Sequence, residues 1–173
     1  MIFQSTDAKT ITESPLYTQQ KGESIEELAK QLDGTPDTFQ QLFGLSDQTI
    51  EYFYLSGRRY YESSRFSDAG DVFYTISFLN PFNFNVWLSL GLSEMQNHHY
   101  DKALEAFAMA TLVNMTSVVP HIHSAECYIQ LKNYPLAKAT LELAQRTMRE
   151  HPTKETQQFE EYINHLNFKT SNK

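Results

Sequence analysis

A spacing of 34 residues constrains this chain more than any other feature. Large and small side chains recur at that interval through three copies without a gap. Phe53, Trp87 and His121 form one column, and Gly57, Gly91 and Ala125 the next. Phe66, Tyr100 and Tyr134 follow, then Ala69, Ala103 and Ala137. Phe73, Phe107 and Leu141 complete the bulky set, and Ile76, Ala110 and Ala144 close the unit. The small columns let two helices approach closely, and the bulky columns fill the space between them, as interior packing density requires. Self-similarity at this period predicts stacked units, each of which buries its apolar face only against its neighbours.

Period and residue types resemble the tetratricopeptide repeat, a helix–turn–helix unit. The chain is therefore expected to be all-α, with repeats over residues 50–83, 84–117 and 118–151. Prolines fit this division, because proline is tolerated only in the first turn of a helix. Pro81 follows the second helix of the first repeat, and Pro120, Pro135 and Pro152 stand near predicted helix starts. Asn133, before "YPLAKA", reads as an N-cap.

The flanks carry helical patterns too. In "SIEELAKQL", Ser24 and Glu27 form a capping box, and Ile25, Leu28 and Leu32 share a face. Thr35 before Pro36 reads as a second cap, ahead of the cluster Phe39, Leu42 and Phe43. Residues 23–49 are thus an N-terminal helical segment, and residues 1–22, without period, a flexible start. Phe159, Tyr162, Ile163 and Leu166 recur at helical spacing within 152–173, where a C-terminal helix would cap the last repeat, since open stacks need covered ends.

Composition narrows the function classes. The net charge is −7, of which residues 1–49 carry −5. An acidic chain without a basic stripe does not suit nucleic acid. No apolar run reaches the roughly 20 residues a membrane helix needs, and the N-terminus lacks a basic start followed by an apolar stretch, so no secretory signal is expected. A single cysteine, Cys127, fits a reducing compartment. His121 and His123 diverge on a helix and do not share a metal, and no phosphate loop or zinc spacing appears. No enzyme activity, cofactor or metal is expected. The one catalytic alternative is a Cys127 nucleophile served by His123.

What remains is a surface. In proteins of this repeat class, a stripe along the first helix of each repeat lines a concave groove. Here the first repeat places Glu51, Tyr54, Arg58, Tyr61 and Glu62 on it. Asn85, Leu88, Leu92 and Met95 follow from the second repeat, then Val119, Ile122, Glu126 and Ile129 from the third. Water-facing helix positions are normally polar, so this apolar stripe reads as a trough for an extended apolar peptide. The bland alternative is that the N-terminal helices or a second copy cover it.

The third repeat sharpens the resemblance. In "PHIHSAECYIQLKNYPLAKATLELAQ", Pro120, His123, Ala125, Glu126 and Cys127 form an element similar to that of class II chaperones of bacterial type III secretion. The arrangement of N-terminal helical segment, three repeats and C-terminal helix matches as well. The resemblance implies a small acidic cytoplasmic chaperone, which would hold a Pro/Leu-containing segment of a hydrophobic translocator in its groove before export. It also implies a homodimer through the N-terminal helices. Tyr54 and Tyr61 match the family's aromatic groove positions. Three residues depart from the pattern: His98 replaces the usual turn glycine, Met115 stands where proline often ends a repeat, and Arg58 puts a cation in the groove. A general repeat adaptor, binding a folded partner or a peptide C-terminus, is the alternative function.

Overall fold

The computed structural model describes residues 37–153 and 156–171. Everything below belongs to the unit Thr38–Lys173. The flexible start, the Ser24 capping box and the Thr35 cap lie outside the described residues.

The described residues are all-α. A single turn, α1 (Phe39–Leu42), leads into α2 (Asp47–Glu62) and α3 (Phe66–Leu79). The next hairpin is α4 (Phe84–Gln96) with α5 (Tyr100–Val113), and the third is α6 (Val119–Gln130) with α7 (Tyr134–Glu150). The last helix is α8 (Thr156–Ser171). Each long helix packs mainly on its neighbours in sequence, the arrangement of a one-dimensional stack.

The helix starts are written in capping side chains. Thr38 caps α1, its hydroxyl accepting from the Gln41 amide at 3.2 Å. Ser46 does the same for α2 at Thr49, so that helix begins ahead of the repeat boundary placed at residue 50. Asn83 accepts from the Val86 amide at 3.3 Å, and Asn133 from the Leu136 amide at 3.3 Å. Pro120 and Pro135 sit in first turns, where no intrahelical N–H is lost.

The hairpin turns obey the same 34-residue interval in their backbone. Ser64, His98 and Lys132 all adopt positive φ, at 58°, 61° and 58°. In each turn the next amide returns to a carbonyl of the last helical turn: Arg65 to Tyr60 at 2.9 Å, His99 to Glu94 at 2.9 Å and Asn133 to Tyr128 at 2.8 Å. This is the Schellman geometry, which usually places glycine at the left-handed position.

Three apolar clusters run along the stack. The first gathers Ile50, Ala69, Phe73, Ile76, Val86, Leu90 and Ala106. The second is Ala103, Phe107 and Cys127, and the third joins Ile122, Leu141 and Met148 to Ile163 and Leu166 of α8. Phe73 and Phe107 are fully buried, each contributing about 2 kcal/mol by burial of its ring. At the front of the stack Gln40 is buried with both polar atoms of its side-chain amide hydrogen-bonded. Its amide nitrogen donates to Asp47 Oδ1 at 2.7 Å and to the Leu45 carbonyl at 3.3 Å, and its oxygen accepts from Asn80 at 2.9 Å. The Phe39 ring stacks on Phe78 at 4.5 Å, so α1 is held on the end of α3.

Candidate peptide-binding groove

The first helices of the three repeats, α2, α4 and α6, run side by side, and the predicted stripe lies along them. Its first part is a hollow of about 310 Å³ lined by Tyr54, Arg58, Tyr61, Glu62, Phe73, Ser89 and Leu92. Phe73 forms its floor. The Tyr54 ring lies 5.5 Å from that of Phe73, and the Tyr54 hydroxyl pairs with Ser89 Oγ at 3.2 Å. Tyr61 stands edge-on to Phe66 at 5.2 Å. Both tyrosines are half-buried, so each keeps part of its ring open to the hollow. Such rings offer large contact area at small entropic cost.

Arg58 stands at the rim, where its guanidinium meets Glu62 Oε1 at 3.1 Å. Both side chains are more than half exposed, so the pair contributes little to stability. It does neutralise the cation that the sequence places in the groove. Asn85 is exposed at the start of α4, and Leu88, Leu92 and Met95 are half-buried against the Ala103, Phe107 and Cys127 cluster.

The third repeat departs from the expectation. Ile122, expected on the groove surface, is 2% exposed and belongs to the third cluster with Leu141, Ile163 and Leu166. It is core rather than contact surface, in a cluster to which both α7 and α8 contribute apolar side chains. Val119 and Ile129 are half-buried against the same cluster. Glu126 is committed within the chain: Oε2 lies 2.6 Å from His123 Nδ1, and Oε1 accepts from the Tyr162 hydroxyl of α8. Burial opposes ionisation of Glu126, but these two hydrogen bonds and the nearby Lys169 outweigh it and hold the carboxyl below its ordinary range. Burial, then the bond to Glu126, pushes the Tyr162 phenol up to about 12. The His123 ring in turn stacks on Phe107 at 5.5 Å.

Sequence reasoning placed Glu62 on the stripe, where it lines the hollow, but missed Phe73 and Ser89 as lining residues. Phe73 was legible, since its column faces the Gly57 column across the hairpin. Ser89 lies one residue beside the stripe and carries no periodic signal.

The thiol alternative fails on geometry. Cys127 is fully buried, and burial, with Glu126 beside it, pushes its thiol up to about 12. His123 faces Glu126 instead of activating the sulfur. Among the described residues no group of three His, Cys, Asp or Glu side chains could hold a metal, and no helix is long and apolar enough to cross a membrane.

No family model matches the chain. It is 26% identical over 115 residues to low calcium response locus protein H of Yersinia pseudotuberculosis serotype I (strain IP32953), a match covering 66% of this chain and 68% of that protein. Its fold matches that of the Yersinia enterocolitica type III secretion translocator chaperone SycD with a TM-score of 0.70 at 22% identity, over 77% of this chain and 98% of that one. A second SycD structure holds a peptide of the translocator YopD; there the TM-score is 0.68 at 22% identity, over 73% of this chain and 95% of that one. The chain is homologous to low calcium response locus protein H and shares the stacked helical fold of the translocator chaperones.

Proposed function

We propose that this protein is a cytoplasmic chaperone for hydrophobic translocators of a type III secretion system, and that it receives an extended Pro/Leu-containing segment of the client in its concave face. The observation that carries this reading is the aromatic hollow over Phe73. Tyr54, Tyr61 and Leu92 leave an apolar recess on the inner side of a fold that, in SycD, is found with a translocator peptide. Translocators carry apolar segments that enter membranes, and such segments aggregate in water. Sequestering one in a trough keeps the client soluble by mass action, without nucleotide or catalysis. Leu88 and Met95 extend the apolar wall beyond the hollow, and Asn85 and Arg58 give it a polar edge. Residues 23–49 are the segment through which two copies would pair.

An adaptor that captures a free C-terminal carboxylate is the weaker reading, because Arg58, the cation on the stripe, is engaged by Glu62. The test is co-expression with the N-terminal segment of a translocator from the same secretion system. The chaperone reading expects a soluble complex that Tyr54→Ala combined with Leu88→Glu abolishes while the helical content is kept. A complex that survives both changes in a folded protein removes the groove from the account. On a peptide array, preference for free C-termini over internal Pro/Leu segments would favour the adaptor.

A further inference from the structure

The inner stripe is built from one repeating position whose environment changes along the stack. Tyr54, Leu88 and Ile122 occupy the same place in successive repeats, spaced by 34 residues. Tyr54 and Leu88 are half-buried, whereas Ile122 is 2% exposed. The next column behaves alike. Arg58 is solvent-exposed and Leu92 lines the hollow, but Glu126 has one oxygen on His123 and the other on Tyr162. The helix α8 contributes to both differences: Ile163 and Leu166 join Ile122 in one cluster with Leu141 and Met148 of α7, and the Tyr162 hydroxyl reaches Glu126.

We propose that α8 is a built-in occupant of the third repeat's inner wall, with Tyr162 on Glu126 as its fastening, so that the client's footprint ends at the second repeat. This rests on the chaperone reading above for the identity of the client, but the closure itself is a property of the free protein. A client side chain arriving at the third repeat finds a filled apolar site at Ile122 and a carboxylate each of whose oxygens already has a hydrogen-bond partner within the chain. Displacing Tyr162 would cost Glu126 one of its two donors within the chain, and hydrogen bonds to charged groups are among the stronger ones. The first and second repeats impose no such cost, since their counterparts are open. Tyr162 therefore acts as a positioning residue that sets how long a segment the groove accepts.

The experiment uses the full chain and the silence of its native thiol, since Cys127 is fully buried. Leu88→Cys and Ile122→Cys are made separately and labelled with N-ethylmaleimide, each with Tyr162 intact and with Tyr162→Phe. In the free protein, the Leu88→Cys thiol should label about tenfold faster or more, because a buried thiol reacts only through local opening. Tyr162→Phe keeps the ring and removes the hydroxyl. It should speed labelling in the Ile122→Cys variant several-fold and leave the Leu88→Cys variant unchanged, with melting curves establishing that both remain folded. In the complex with a translocator N-terminal segment, the Leu88→Cys thiol should become protected while the Ile122→Cys thiol keeps its free-state rate.

Equal labelling of the two thiols in the free protein, no response to Tyr162→Phe, or client protection at position 122 would each overturn the proposal. A client that protects neither position would instead count against the chaperone reading, and the free-protein comparison would still decide the closure.

Discussion

A methyl group on Gly91 would stand 2.4 Å from Cε1 of Phe107, closer than carbon atoms can approach. The same relationship joins Gly57 to Phe73, at 2.8 Å. In the third repeat the pair is Ala125 and Leu141, both fully buried. Where the second helix offers a flat ring, the first must be bare backbone; where it offers a leucine, a methyl fits. Size is thus shared between the two helices of each hairpin.

Gly91→Ala should therefore destabilise the protein by about 2 kcal/mol through overpacking, despite alanine's better helix propensity. Phe107→Leu alone should cost about 1–2 kcal/mol by loss of buried ring surface. The double variant, which copies the third repeat, should be more stable than the sum of the two losses predicts. Urea denaturation of the four proteins reads this coupling directly, and strict additivity would show that the ring and the glycine do not constrain one another.

The three left-handed turn residues offer a gain. Lys132 sits at φ 58° with its side chain exposed. Lys132→Gly should stabilise by about 1 kcal/mol, because glycine has no Cβ to clash in that conformation. For a chain of this size that is about 2–4 °C in melting temperature. His98→Gly should gain less, since the imidazole Nδ1 lies 2.9 Å from the Tyr100 hydroxyl and that contact would be lost. A drop in melting temperature for Lys132→Gly would mean that the turn is held by something other than its backbone geometry.

Stability should fall as the pH drops below neutral, in two stages. Burial, then the positive charge of Arg146, holds His121 below its ordinary value of 6.5. The unfolded chain therefore takes up a proton near 6.5 that the folded chain refuses, so stability is lost as pH falls from 6.5 toward the folded value. Glu126 is held below its ordinary 4.5, so its contribution is present above 4.5 and disappears as pH falls through its lower folded value. His121→Gln should flatten the dependence between pH 7 and pH 5.5 without altering the acid limb, a range set by the unperturbed histidine value of about 6.5. Chemical denaturation at stepped pH checks this; an unchanged slope would remove His121 from the account.

Cys127 should be chemically silent. Full burial and a thiol pushed up to about 12 leave almost no thiolate at neutral pH. Maleimide should label the native protein at the rate of global unfolding and label it promptly in denaturant. Fast native labelling would place the sulfur nearer solvent than its surroundings indicate.

The 34-residue columns were enough to specify an all-α stack and the small-against-large pairing of each hairpin, and local signals the cap at Asn133 and the first-turn Pro120, because each depends on residues a few positions apart or on strict periodicity. Periodicity also put Tyr54, Leu88 and Ile122 on one inner stripe, which is a statement about direction along a helix. It carried no information on what stands in front of each position. Tertiary structure alone decided that Phe73 floors a hollow beneath Tyr54, that α7 and α8 enclose Ile122, and that Tyr162 of α8 takes up Glu126. The reason is that a helix's own sequence fixes which way a side chain points, whereas exposure is set by surface removed by a neighbour distant in the chain, and Tyr162 lies 36 residues beyond the carboxylate it engages.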